Sequence, residues 1–486
     1  MTLKSSLRLT PTAQLSLAAA FSALVYLVVL LWPYPLWSLY LGPQLDLGQL
    51  ARHDGLAALV LAGGYALIFW LYLAGYRAAR RIGSARGVRW VIVPALGFAA
   101  ILLWVYPVGA TDVYDYVFRG RLWGLYDYNP LTVAPMQVSG DPWYPYVTWV
   151  WSGSPYGPLW ADLSVTLYRL AGDDWLRNLL AFKLLAAVCI PLCALLIHDM
   201  LQEGEREQAL GGVLLFAWNP LLLFEGVVNG HNDLVMTMLI VLALWLYARQ
   251  HARAALAACT LAALVKVTAL IALPVIGLAG LRRLPAGRAR RQYLMTGAAL
   301  CVLIAAALYA PLWAGPATFD ALAIQDNRFT ASLAAVTKLG LEAVWGTEAA
   351  EAWARASFSV LFVVIALYRL RAAARTGVPA AEARLGQQLF DLFTLLLLTA
   401  TLWFQPWYVI WVVALMPLAG PARARWAIIW SASALSLYLL FDFVWFWYPE
   451  FLNTANVLVL NGVAVLMWLA PLAGYGALER RRARAR

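Results

Sequence analysis

Two residues of this 486-residue chain carry polar chemistry into apolar surroundings: Asp112 and Lys266. Asp112 opens the stretch TDVYDYVFRGRLWGLYDYNP (111–130), where a long apolar run gives way to acids, arginines and aromatics. Its carboxylate falls at the edge of a hydrophobic segment, where a lipid-borne substrate presents its polar head and a base can take a proton from a hydroxyl. Lys266 lies in the middle of the apolar run 254–280. An ammonium there costs about 2.5–3.5 kcal/mol on insertion scales and needs an anion or a watery cavity. One solution is a buried carboxylate such as Glu225 or Asp233. The other is a bound phosphate, to which His231, Arg119 and Arg121 could add donors, since guanidinium groups grip phosphate oxygens bidentately. An acid near the bilayer edge and cations for a phosphate suit the transfer of a sugar from a lipid phosphate to a hydroxyl. Asp112 would take the acceptor proton while Lys266 meets the charge on the departing phosphate. The two acids of DVYDY are separated by tyrosines, and no His or carboxylate cluster has metal-ligand spacing, so no metal or other cofactor is expected.

The remaining sequence must hold these groups in a bilayer. Hydrophobic residues make up 63% of the chain and charged residues 13%, and mean hydropathy is +0.71. That is too apolar for a soluble protein, and an all-α polytopic membrane protein is expected. The net charge of +11 is carried by short arginine clusters between apolar runs, a pattern that sets topology rather than one that binds nucleic acid. Cys189, Cys193, Cys259 and Cys301 all lie inside apolar runs as small hydrophobes, with no disulfide implied.

With Lys4 and Arg8 inside, spans at 15–40, 56–75 and 90–106 deliver Asp112 to the outside. Residues 109–178 form a long outer segment whose Trp and Tyr side chains suit the headgroup level, with an interfacial helix at 158–170. Spans at 179–201, 210–228 and 234–249 leave the turn NGHND (229–233) outside. A single crossing by 254–280 would put the basic loop LRRLPAGRARR (281–291) outside as well. A hairpin of two half-helices turning near Lys266 returns it to the inside. Spans at 293–313, 357–370, 389–404, 407–418 and 426–446, a second outer loop at 316–355, and a last span before ERRRARAR (479–486) complete one membrane domain over 1–486. This makes about twelve crossings plus the hairpin, 12–14 membrane helices, with both termini cytoplasmic. The outer face then collects Asp112, Tyr114, Asp115, Arg119, Arg121, Asn129, Tyr156, His231, Asn232, Asp233, Asp326, Asn327, Arg328, Gln405, Trp407 and Tyr408. Each also has a plainer role: outer carboxylates are usually solvated, and a Trp at a span end is usually an interface anchor.

In order along the chain, five segments resemble motifs of the GT-C glycosyltransferases that use polyprenyl-phosphate sugars. The likeness is greatest to bacterial polyprenol-phosphate-mannose-dependent alpha-1,6-mannosyltransferases. TDVYDYVFRGRLWGLYDYNP resembles that family's acidic first-loop motif followed by G-R and N-P. SPYGPLW (154–160) resembles its Y-G-P segment and NGHNDLVM (229–236) its H-N-D turn. LVKVTAL (264–270) is similar to its intramembrane lysine and FQPWYVIW (404–411) to its late P-W-Y motif. The resemblance implies a GT-C-like helical bundle with a long extracytoplasmic first catalytic loop, an inverting transfer, and Asp112 as the catalytic acid. Lys266, His231, Arg119 and Arg121 are expected at the donor phosphate. Tyr114, Asp115, Asn129, Tyr156, Asn232, Asp233, Gln405, Trp407 and Tyr408 are expected to bind substrate.

The expected activity is a multi-pass cell-membrane mannosyltransferase. It would move mannose from a polyprenyl phosphate to a hydroxyl of a glycan or glycolipid, such as a lipoglycan of the cell envelope, on the extracytoplasmic face. Its partners would be that donor, that acceptor and the lipid bilayer. The alternative is a transporter or flippase of a lipid-phosphate substrate, with Lys266 and its broken helix as a midplane site. Against it, the two halves repeat no pattern of interrupted segments and the polar residues gather on one face. A non-catalytic scaffold would tolerate changes at all these positions.

Overall fold

Helices build the chain because a backbone N–H or C=O facing hydrocarbon has no water to pair with, so each segment must satisfy its own. The computed structural model describes residues 9–42, 44–83, 87–204, 209–325, 328–375, 384–445 and 454–472. Lys4, Arg8, Asp326, Asn327 and residues 479–486 lie outside the described residues, and with them the expected placement of both termini. Among the described residues there is no strand, only isolated bridges such as Pro35 to Val105.

Three long helices precede Asp112. In α1 (Pro11–Val25) the Thr10 hydroxyl accepts from the Ala13 N–H, and Pro11 occupies the first turn. A π-type turn extends it to Leu31, where Pro33 and Pro35 prevent the helix from continuing. The first span therefore ends at Leu31 instead of residue 40. Asp54 caps α2 (Gly55–Ile82), which closes at Gly83 with φ 61°. After α3 (Arg89–Leu102), the chain pairs with the segment following α1 through Leu36 N–H to Trp104 C=O and Tyr106 N–H to Tyr34 C=O.

The segment 109–178 holds two packed helices, α4 (Asp112–Tyr126) and α5 (Pro158–Ala171). They meet through Gly120 and Gly124, four residues apart on one face. A Cβ at Gly120 would lie 2.5 Å from the Ser164 carbonyl oxygen, and one at Gly124 would lie 2.4 Å from Tyr168 Cδ1.

Next come α6 (Trp175–Gly204) and α7 (Ala209–Ala217), with a 44° bend between α7 and the helical segment Pro220–Val228. Asn219 caps the new segment by accepting from the Leu222 N–H. Then α8 (Asp233–Ala248) leads to α9 (Ala252–Val265), a break at Lys266, a 3-10 turn Val267–Ile271, and α10 (Ala272–Arg282). The rest comprises α11 (Arg288–Tyr309), α12 (Leu333–Trp345), α13 (Thr347–Arg375), α14 (Leu385–Leu398), α15 (Ile410–Leu415), α16 (Pro421–Leu435) and α17 (Thr454–Trp468). Much of 316–355, read from sequence as a loop, is helical: Asp320–Gln325, α12 and the start of α13 occupy it.

Among the described residues six helices are long and apolar enough to cross a membrane, and the bent pair of α7 with Pro220–Val228 would make a seventh. The other apolar helices have 10–17 residues, so the remaining expected crossings fall on short or interrupted pieces. The Gly120 contact gives a direct check. Gly120→Leu should cost about 1–3 kcal/mol or more through overpacking, read as a lowered unfolding midpoint in detergent. Gly140→Ala, which has nothing within 4 Å, should leave the midpoint unchanged.

Candidate active site

The site begins where α9 ends. A Cβ on Gly280 would lie 3.2 Å from the Ala252 Cβ, and one on Gly277 would lie 3.7 Å from Leu256 Cδ2. The two half-helices therefore run back along each other with Lys266 at the tip, where the backbone is extended at φ −147° and ψ 123°. Lys266 Nζ donates to both oxygens of Asp233, at 2.8 and 2.9 Å. Trp411 Nε1 donates to Asp233 Oδ1 at 2.5 Å. Asp233 is fully buried as the first residue of α8, where the helix dipole favours a carboxylate. Of the two solutions open to Lys266, the structure holds the buried carboxylate, and the partner is Asp233 instead of Glu225. The ammonium is also caged by aromatic faces, 4.9 Å from the Tyr408 ring centre, 5.6 Å from Trp411 and 5.7 Å from Tyr156. One of its three N–H groups is not needed by Asp233, and the side chain borders a cleft.

The cleft measures about 380 Å³, and its wall includes Tyr156, Lys266, Arg328, Trp403, Tyr408 and Trp411. Tyr156 connects it to Asp112, donating from its hydroxyl to Asp112 Oδ1 at 3.0 Å. Burial pushes the Tyr156 hydroxyl pKa well up, which keeps it a donor. Gly157 explains the Y-G-P segment: its N–H donates to the Val265 carbonyl at 3.1 Å, and a Cβ there would lie 2.1 Å from the Leu264 carbonyl oxygen. Only a glycine lets this segment lie flat on the last turn of α9, beside Lys266. Asp112 begins α4, buried one hydrogen bond behind the cleft wall.

Arg328 is a second cation on the cleft, and the sequence analysis gave it no role. Its guanidinium carbon stands 4.0 Å from the Trp149 ring centre and 5.1 Å from Trp403. Among the described residues no carboxylate pairs with it. A lone arginine next to a polar loop gives little local signal.

Arg119 and Arg121 do not line the cleft with Lys266; each is engaged within the segment 109–178. Arg119 donates to Asp115 at 2.7 Å and to the carbonyls of Pro130, Trp149 and Ser152 at 3.1–3.3 Å. Arg121 donates to Asp141 at 2.7 Å, to the Tyr168 hydroxyl at 3.2 Å and to Asp173, with its guanidinium 4.2 Å over Trp143. Both fasten the segment 109–178. Asp115 belongs to the same clamp. Burial pushes its carboxyl above the ordinary range, and the Arg119 guanidinium draws it back. Asn129 ties its loop to the end of α11, donating to the Leu312 carbonyl at 2.7 Å and accepting from the Leu131 N–H. Tyr114 stacks on Trp175 at 5.7 Å, away from the cleft wall.

His231 and Asn232 are buried, and His231 stacks on Trp407 at 4.2 Å with its Nε2 3.4 Å from Glu225. His231, Asn232, Trp407 and Glu225 all lie off the cleft wall. Gln405 is half-buried at the turn before Pro406, and Tyr408 stacks on Trp411 at 4.8 Å. The insertion-cost signal that marked Lys266 applies equally to Lys183 in α6. Lys183, unmarked in the sequence reading above, is fully buried and donates to the Val105 carbonyl. Among the described residues no group of three or more His, Cys, Asp or Glu could hold a metal ion.

The fold and site define a multi-pass, all-helical membrane protein with one aromatic-walled cleft carrying two cations. The chain belongs to the alpha-(1->6)-mannopyranosyltransferase family, whose N-terminal domain matches residues 18–282. That stretch contains Asp112, Tyr156, Asp233 and Lys266, while Arg328, Tyr408 and Trp411 come from beyond it. The chain is 26% identical over 201 residues to alpha-(1->6)-mannopyranosyltransferase A of Corynebacterium glutamicum, covering 41% of this chain and 39% of that protein. It is 29% identical over 258 residues to alpha-(1->6)-mannopyranosyltransferase A of Mycobacterium tuberculosis, covering 51% of this chain and 48% of that protein. The matches thus span less than half the length of these relatives.

A double-mutant cycle on the buried pair separates its charge from its packing. Lys266→Met or Asp233→Leu alone should each cost about 3–5 kcal/mol by stranding a charge, and the double variant should recover much of that loss. Simple addition of the two losses in thermal unfolding would show that the pair is uncoupled.

Proposed function

We propose that the protein transfers mannose from a polyprenyl-phosphate donor to a hydroxyl of a glycan or glycolipid, with inversion, on the extracytoplasmic face of the cell membrane. The observation that carries this reading is the meeting, around one cleft, of Asp112 through Tyr156 with the cations Lys266 and Arg328. The names of the family and its relatives supply the sugar and the alpha-1,6 bond. The arginines Arg81, Arg249, Arg282 and Arg423 lie near the ends of α2, α8, α10 and α16, away from the end that carries the cleft. The positive-inside rule favours a cytoplasmic face for them, which supports an extracytoplasmic cleft.

In this reading the donor phosphate rests against the free N–H of Lys266 and the Arg328 guanidinium. The acceptor hydroxyl oxygen attacks the anomeric carbon and gives its proton to Asp112, whose orientation Tyr156 fixes. The bond from the anomeric carbon to the phosphate oxygen breaks, and the electron pair leaves with the phosphate. The donor phosphodiester carries one negative charge and the departing monoester nearly two, so the cations are met by more charge as the reaction proceeds. Attack from the opposite side turns a beta-linked donor into an alpha-linked product. Asp233 is a positioning residue that fixes the ammonium at the cleft. Side-chain cations stabilise the leaving group, and no metal is required.

The test uses purified full-length protein in lipid with radiolabelled polyprenyl-phosphate-mannose and a short mannoside acceptor. Asp112→Asn should lose about 100-fold or more in turnover. Arg328→Gln should lose on the order of 100-fold in kcat/KM for the donor. Near-normal turnover by a folded Asp112→Asn variant would remove Asp112 as the base. Movement of labelled donor across the bilayer without product would favour transport. Turnover should also survive EDTA, and a loss restored by added divalent cation would overturn the metal-free reading.

A further inference from the structure

A second cavity, of about 230 Å³, runs along α14, with its polar residues toward the N-terminal end of that helix. Leu396, near the C-terminal end of α14, lines the cleft, whereas Gln387, Gln388 and Asp391 line this second cavity. Nine residues separate Gln387 from Leu396, a rise of roughly 14 Å, so the polar end of this cavity lies toward the N-terminal end of α14 while its apolar wall runs along the helix to Leu395, beside the cleft. Asp391 bridges two arginines, accepting from Arg369 Nη1 at 2.8 Å and from Arg423 Nε and Nη2 at 2.6 and 2.8 Å. Arg384 also lines the cavity and pairs with no carboxylate among the described residues. Among the described lining residues three guanidinium groups face one carboxylate, an excess of two positive charges. The rest of the wall is apolar, including Val275, Leu370, Leu392 and Leu395. Beside it on α13, Leu367 and Tyr368 are 56% and 72% exposed, an outer surface suited to lipid chains.

We propose that this cavity binds the phosphate headgroup of an anionic phospholipid in the leaflet facing away from the cleft, with an acyl chain along the apolar wall. The guanidinium groups match phosphate oxygens in charge and geometry, and Gln387 and Gln388 add neutral donors. Topogenic arginines alone would need no cavity, yet here Asp391 holds two of them in place beside an apolar surface. Inorganic phosphate offers the same headgroup chemistry but gains nothing from that wall.

Native mass spectrometry and thermal unfolding of the full chain test this, with phosphatidylglycerol, phosphatidylcholine or inorganic phosphate added. Phosphatidylglycerol should remain bound and raise the unfolding midpoint by at least about 2 °C. The other two additives should not. Arg384→Gln should weaken phosphatidylglycerol binding about fivefold, and Arg384→Glu more. Arg384 is exposed and no described ion pair includes it, so both variants should fold and keep their cleft chemistry. Equal effects of phosphatidylcholine would overturn the charge requirement, and equal effects of inorganic phosphate would overturn the lipid assignment. Unchanged phosphatidylglycerol binding by Arg384→Glu would remove the site from this cavity.

Discussion

The contact between Lys266 and Asp233 sets the architecture around the cleft. An ammonium within an apolar run must find an anion or water, and the tip of α9 and α10 places this one against the first residue of α8. Once the tip is there, the last turn of α9 offers a flat carbonyl surface to Gly157, and Tyr156 comes to stand between Lys266 and Asp112. Trp411 completes the contact from the far end of the chain, so three distant segments share one carboxylate. A buried pair of this kind is weak evidence of net stability, because desolvation of both charges offsets most of their attraction. Its value is geometric, since a misplaced tip leaves a bare charge.

The sequence made the pieces of the site legible and left their pairing obscure. The motifs at 111–130, 154–160, 229–236, 264–270 and 404–411 each supply at least one residue to the cleft or to the groups behind it. The reversal at Lys266 could be inferred from the arginines of 281–291, because charge asymmetry constrains the parity of crossings. Which cation faces which acid depends on where a loop closes. Arg119 and Arg121 look free in sequence, but the carbonyls of Pro130, Trp149 and Ser152 and the acids Asp141 and Asp173 fold back onto them from up to about fifty residues away. Helix ends were harder than helix existence. Hydropathy carried the first span through to Tyr40, whereas Pro33 and Pro35 cut it at Leu31.

The arginines that fasten the segment 109–178 clarify the two cations that line the cleft. Arg119 and Arg121 each meet a carboxylate at 2.7 Å, and Lys266 is matched by Asp233. Arg328 alone on the cleft wall is balanced by aromatic faces, Trp149 and Trp403. Ring quadrupoles hold a guanidinium without neutralising its charge, and so leave it ready for an anion. In the proposed reaction the phosphate gains charge as it departs, and a cation already compensated by a carboxylate responds less to that gain than one held by rings. Lys266 would then chiefly orient the donor, while Arg328 would take the larger share of the developing charge. In that proposal the segment 109–178 serves this division by keeping its own arginines occupied, so that the donor phosphate would meet at the cleft a guanidinium that no carboxylate among the described residues neutralises.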